Sequence, residues 1–380
     1  EAARQRRCSA PLFFEGRLAT LLDYHDIAPW VFLDGPGEAP FEALLNELGA
    51  TWERCHALRG QLWEVVSVSS GQLVEPVRNG RPLCAPAACT QEDVEGKLWP
   101  QVARSVFGVN STMAIATPLG HWRQVQLDFV LAGFEKCGTS SLSHNMARHP
   151  QLEFVPRAPT DPRINTDGQL AQDGNLFWHV GNRLLPPVDL VSSFNEGRCC
   201  AIGPGLLSED YPPPDYGSAG GVRKARGERN PVYAFHRINM KMVSMVPNSK
   251  VVLIACDPIG WLHSAYADTM NWYDERTATA PPPPLRSFAA EDCVPDADHG
   301  GACINLSRRR AHFSRFTEGL VRLFGAKAPA RRVHMVHRDS MDARRSGERG
   351  VKAAYDRLAA FLGVGPFPPG FEFQRRNVGS

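Results

Sequence analysis

Residues Gln126–Pro150 read QLDFVLAGFEKCGTSSLSHNMARHP. Leu127–Phe134 is an apolar run rich in Val, Leu and Phe, the pattern of a buried strand, and Ser140–His149 has helical spacing. Between the two lie Gly133, Lys136, Gly138, Thr139 and Ser140. A strand that passes through a glycine-bearing loop into a helix makes an anion cradle. The first N–H groups of a helix lack partners, and the helix dipole favours negative charge there. The stretch therefore predicts a phosphate-binding loop on a sheet of strands alternating with helices.

The position of the lysine narrows the kind of loop. An ATP-type loop carries its lysine directly after the second glycine, whereas Lys136 precedes Gly138 by two residues and Thr139 stands in the lysine place. The order FEKCGTSSL instead resembles the 5′-phosphosulfate loop of the PAPS-dependent sulfotransferases, x-x-K-x-G-T-[ST]-x-L after the first strand. The resemblance implies PAPS as donor and PAP as product, with no metal. Lys136, Cys137, Gly138, Thr139, Ser140 and Ser141 would cradle the 5′-phosphosulfate, and Lys136 would neutralise charge on the bridging oxygen as the sulfuryl group leaves.

Working outward, Lys250–Tyr273 (KVVLIACDPIGWLHSAYADTMNWY) reads as a buried strand, an Asp-Pro turn and a helix. In the sulfotransferases the matching piece is R-D-P followed by a serine, and that arginine and serine hold the donor's 3′-phosphate. Asp257, Pro258 and Ser264 fit this pattern, but Cys256 takes the arginine place, and a thiol cannot supply guanidinium donors. Gly227–Pro231 (GERNP) resembles the E-K-T-P segment of the Golgi heparan-type enzymes, with Arg229 in the lysine position, where it would share the sulfuryl charge. A helix from Asn305 to Phe324, a strand at Arg332–His337 and a final helix through Tyr355–Leu362 resemble the family's closing elements. The tail FEFQRRNVGS resembles its basic loop, so Arg375, Arg376 and Asn377 are expected near the 3′-phosphate, with Arg308, Arg309 and Arg310 as further cations. Residues 301–380 hold 16 basic and 6 acidic side chains, in a chain of net charge +2, so an anionic partner is expected on this segment.

A base is needed to take the acceptor's proton. The carbohydrate enzymes use a glutamate soon after the H-P that follows the first helix, and His149-Pro150 is present, but the next residues contain no such segment. Asp161 stands nearest in position, with Glu153, Asp173 and His179 as alternatives. Leu152–Asp189 and Gly203–Asn230 are rich in Pro and Gly and read as irregular segments that build an acceptor cleft.

The 380 residues, 43% hydrophobic and 22% charged, are enough for two domains. Residues 1–124 read as a smaller mixed α/β domain, with helices at Arg17–Asp26, Phe41–Leu48 and Gln91–Phe107 (N-cap Thr90) and strands at Trp30–Leu33 and Leu62–Val68. DYHDIAPWVFLDG and RNGRPLC within it resemble part of an uncharacterised glycosyltransferase-like domain; a packing or substrate-positioning role is the other reading. Residues 125–380 read as the α/β domain, a central parallel sheet with helices on both faces, the P-loop-like sulfotransferase fold. Ten cysteines suggest disulfides, with Cys84–Cys89 and Cys293–Cys303 the pairs close in sequence, and sequons occur at Asn110 and Asn305. These point to a secretory-pathway lumen or the extracellular space, with glycosylation and an anchor or signal preceding Glu1 expected. His334 and His337 fall on opposite faces of a strand and read as structural, not as metal ligands.

The expected function is transfer of the sulfuryl group of PAPS to a hydroxyl or amine of a carbohydrate or related small acceptor; nucleic acid is not an expected partner. The alternative is a sulfotransferase fold that has lost catalysis and serves as a binding or structural subunit, for which Cys256 and the missing glutamate speak.

Overall fold

The computed structural model describes residues 8–14, 38–68, 81–107, 113–134, 136–155, 185–196, 224–231, 233–235, 237–276, 294–295, 303–305 and 332–375. The chain divides into two compact units. One comprises Glu1–Gln126, Leu176–Cys199 and Met245–Pro247, and the other Leu127–Asn175, Cys200–Ser244 and Asn248–Ser380.

The first unit is built on a four-stranded antiparallel sheet of order β1-β3-β2-β4: β1 (Phe13–Phe14), β2 (Gly60–Val68), β3 (Arg81–Pro86) and β4 (Met113–Pro118). Trp63 and Val65, alternate residues of β2, join Leu83 and Ala85 of β3 in a buried cluster with Val94, Leu98, Trp99 and Val102. These last four belong to a helical run whose parts are Gln91–Asp93, a π turn Val94–Leu98, and helix α2 (Trp99–Phe107). Thr90 caps the run with a reciprocal box: its Oγ1 accepts from the Asp93 N–H, and its own N–H donates to Asp93 Oδ2. Helix α1 (Glu38–Ala57) is tied to the sheet by the Cys55–Cys84 disulfide, and Cys8–Cys89 closes the same unit. The pairing Cys84–Cys89 is therefore incorrect. Cys84 lies within β3, and its side chain is directed to the face opposite Leu83, where Cys55 meets it.

The second unit carries a five-stranded sheet of order β11-β8-β5-β7-β6, parallel throughout. Its strands are β5 (Phe129–Gly133), β6 (Leu152–Phe154), β7 (Ala225–Arg229), β8 (Lys250–Ala255) and β11 (Val333–His337); β9 (Val294–Pro295) and β10 (Cys303–Asn305) form a separate antiparallel pair. Every residue of β5 is buried, as is β8 beyond Lys250, so side chains on both faces of the central strands are covered. From β5 the chain passes through α3 (Thr139–Ala147) toward β6 on one side; α4 (Val188–Asn195), which belongs to the first unit, and α5 (Arg237–Met245) come later in the chain. From β8 it passes through α6 (Pro258–Arg276) toward β11 on the other. Right-handed crossovers running in opposite directions put these helices on opposite faces, giving the expected P-loop-like α/β architecture.

Two strands lie where the sequence reads as irregular. β7 is ARGER, with no apolar signature, because its buried charges are matched: Arg226 pairs with Glu153 at 3.0 Å, and Glu228 accepts from the Tyr233 hydroxyl at 3.0 Å. Gly227 lets this strand lie beside β5, since a Cβ there would come within 2.1 Å of the Phe129 ring. β6 is three residues long, too short for a periodic pattern. The elements expected at residues 17–26 and 30–33, and the helix expected from Asn305, fall outside the described residues except that Asn305 itself ends β10. No described helix is long and apolar enough to cross a membrane.

Candidate anion site at the sheet switch point

In an open parallel sheet, ligands gather beyond the carboxyl ends of the strands where the connections change direction. Here that point lies between β5 and β8. The loop that leaves β5 begins with the Phe134 N–H donating to the Ile254 carbonyl of β8 at 2.8 Å, and it turns through a bond from the Cys137 N–H to the Phe134 carbonyl at 3.2 Å. Lys136 sits in this turn with φ +60°, a left-handed conformation that non-glycine residues adopt mainly where surrounding structure enforces it. Gly138 follows at φ +103° as the N-cap of α3 and has no side chain to cap the helix, so the first turn of α3 opens toward whatever lies beyond the loop.

Around this turn the hydroxyl residues divide by burial. Thr139 is buried, whereas Ser140 and Ser141 are partly exposed. Arg229, the last residue of β7 and itself buried, donates from Nη2 to Ser140 Oγ at 3.1 Å. The β7 guanidinium and the first turn of α3 thus meet at one end of the sheet.

The covalent feature of the site is the bond between Cys137 and Cys256, with the two residues 119 apart in sequence and both buried. It joins the loop after β5 to the end of β8 across the switch point. Cys256 therefore stands at the arginine-like position as half of a disulfide, not as a free thiol, and the Cys137 side chain is directed to that bond and not to a ligand. Sequence reasoning missed the pairing; the only signal was that a cysteine occurs in each of the two stretches that resemble phosphate-binding motifs.

Asp257 has a structural task. Its Oδ2 accepts from the Gly260 N–H at 2.8 Å and its carbonyl from the Trp261 N–H, so Asp257 caps α6 and Pro258 takes the first helical position, where a missing N–H costs nothing. Ser264 is exposed on that helix. Arg375 forms an ion pair with Asp342 at 3.3 Å, and Asp342 also caps α7 (Ala343–Leu362) by accepting from the Arg344 N–H. The tail that bears Arg375 is strapped to α3: Asn145 donates to the Gln374 carbonyl and accepts from its N–H, both at 2.9 Å, while His144 Nε2 lies 2.9 Å from Gln374 Oε1. Asn145 also donates to the hydroxyl of buried Tyr355, whose pKa burial pushes up. The basic tail is thereby held on the helix that follows the anion loop.

Of the alternative bases, Glu153 is the ion-pair partner of Arg226. Asp161, Asp173, His179, Arg308, Arg309, Arg310, Arg376 and Asn377 lie outside the described residues, as does Cys293 of the Cys293–Cys303 pair. Among the described residues no cluster of His, Cys, Asp or Glu could hold a metal ion. His334 stacks on Phe361, with ring centroids 4.9 Å apart, and His337 Nδ1 accepts from the Asp339 N–H, so both strand histidines make local contacts.

No protein-family model and no curated protein matches the chain. Among solved structures, the chain is similar to a sulfotransferase from Alicyclobacillus acidocaldarius, at 19% identity and a TM-score of 0.40 over 66% of this chain and 87% of that one. It is also similar to the sulfotransferase domain of the curacin biosynthetic pathway, at 13% identity and a TM-score of 0.33 over 67% and 81%. Likeness this loose carries neither an activity nor an acceptor.

Proposed function

We propose that the protein is a sulfotransferase that moves the sulfuryl group of PAPS to a hydroxyl or amine of a carbohydrate or related acceptor. The observation that carries this reading is the Lys136–Ser141 turn at the β5–β8 switch point, with Arg229 hydrogen-bonded to Ser140. In the transfer, the acceptor oxygen or nitrogen forms a bond to sulfur as the bond from sulfur to the bridging phosphate oxygen breaks. The acceptor proton passes to a base, and PAP leaves with the electron pair. Lys136 would neutralise the bridging oxygen, Arg229 the sulfuryl oxygens, and the first-turn N–H groups of α3 the 5′-phosphate. Asp161 is the proposed base. Ser264, Asp257, Arg375, Arg376 and Asn377 are the proposed surroundings of the 3′-phosphate, with Asp257 acting through the helix it caps. Disulfides in both units fit a lumenal or extracellular protein.

A second reading, a binding subunit without catalysis, is favoured by one observation: the disulfide at Cys256 brings no charge to a position where the resemblance implies arginine. Incubation with PAPS labelled in its sulfuryl group and a panel of glycans and small hydroxylated acceptors separates the two. The transferase reading expects labelled product that disappears in Lys136→Ala. PAP binding with no labelled product from any acceptor would sink it in favour of the binding subunit.

A further inference from the structure

The loop after β11 stands one strand beyond Cys256 on the side away from β5. His337, the last residue of β11, is in register with Ala255 of β8, so Arg338 comes level with Cys256. Its side chain lies toward the anion loop: Arg338 Cγ is 4.0 Å from where a Cβ on Gly138 would stand, close to Ile254 of β8, which is 3.7 Å from the same point. Arg338 is thus brought to the switch-point end of the sheet, where the Cys137–Cys256 bond itself supplies no charge.

The neighbouring charges are already matched. Asp339 accepts from Arg345 at 2.6 Å, and Asp342 pairs with Arg375 and caps α7. Both acidic side chains of the segment are therefore satisfied by other arginines, and Arg338 has no ion pair or hydrogen bond among the described residues. A partly exposed guanidinium held against a phosphate loop, with the local carboxylates matched elsewhere, is arranged to meet an anion from outside the chain.

We infer that Arg338 is a second anion contact of this site, binding the phosphate of the nucleotide that the Lys136 loop does not hold, which for PAP is the 3′-phosphate. The inference rests on the proposed PAPS reading and adds the residue that supplies the charge absent from Cys256. It also makes the site selective for a bis-phosphorylated nucleotide over its 5′-monophosphate.

The test is calorimetric titration of the full chain with PAP and with 5′-AMP, in wild type, Arg338→Ala, Arg338→Lys and Arg344→Ala. Arg344, exposed on the same segment, controls for general loss of positive charge. Arg338→Ala is expected to weaken PAP at least tenfold and 5′-AMP less than threefold, because charge-assisted hydrogen bonds to one phosphate are worth about that much. Arg338→Lys should recover part of the PAP affinity, and Arg344→Ala should leave both ligands unchanged. Retained 5′-AMP binding shows that the site of the variant is folded. If wild type binds PAP but Arg338→Ala loses nothing, or loses both nucleotides equally, the inference about Arg338 is overturned while the PAPS reading stands. If wild type binds neither nucleotide, the PAPS reading itself is overturned.

Discussion

Removing the Cys137–Cys256 bond should destabilise the parallel-sheet unit by an amount that its loop sets. The bond closes a segment 119 residues long, and the other two disulfides among the described residues lie outside that segment, so neither of them shortens it. In the chain-entropy picture a loop of this length restricts the unfolded chain by about 4.9 kcal/mol at 25 °C, less any native strain and any residual structure when unfolded. The double variant Cys137→Ala/Cys256→Ala avoids leaving a buried thiol or hydroxyl, and its expected loss is about 3–5 kcal/mol. Hydrogen exchange reads the effect locally. Amides of β5 and β8 should exchange roughly 100- to 3,000-fold faster, since each 1.4 kcal/mol is a factor of ten. Amides of β2 and β3, whose own disulfides are intact, should keep their protection. A loss below about 1 kcal/mol, or iodoacetamide labelling of Cys137 and Cys256 in the unreduced, denatured wild type, would refute the reasoning.

Gly227→Ala puts a Cβ into the Phe129 ring, so β7 and β5 must separate; about 2–4 kcal/mol of stability should be lost, measured as a shift of the urea midpoint. A fully stable variant would mean that β7 does not lie against Phe129. His121 supplies a pH dependence: burial, aided by Arg123 and opposed by Glu53, lowers its pKa to about 4, so the folded protein holds the neutral imidazole, whose Nδ1 accepts from the Arg123 N–H. Its stabilising effect is complete above pH ~6.5 and is lost as the pH falls toward 4, on the order of 2 kcal/mol. Urea midpoints from pH 7 to pH 4 should fall less steeply in His121→Gln than in wild type; parallel curves would count against a buried neutral His121.

The parts of the fold that were legible in the sequence are those whose chemistry is local. β5 and β8 announce themselves as apolar runs because both their faces are covered, the turn from β5 into α3 by Gly138 ahead of the helical spacing, and the start of α6 by Asp257-Pro258, an N-cap followed by a proline at the first helical position. β7 was illegible because its interior residues are charged and their partners, Glu153, Tyr233 and Ser140, lie elsewhere in the chain. Nearness in sequence suggests Cys84–Cys89, whereas a bond from helix α1 to β3 takes Cys84 to Cys55, the antiparallel pairing of β1 with β3 leads Cys8 toward Cys89, and the neighbouring ends of β5 and β8 bring Cys137 to Cys256. Arg338 carries no local mark at all; only the register of β11 on β8 places it beside the loop.

The central claim is that Lys136–Ser141 is a nucleotide phosphate site, and the most direct measurement is calorimetric titration of PAP into wild type and Lys136→Ala. The account predicts saturable binding by wild type and at least a tenfold loss in the variant, the scale of one charge-assisted contact to phosphate. Equal affinity in the two proteins would contradict it.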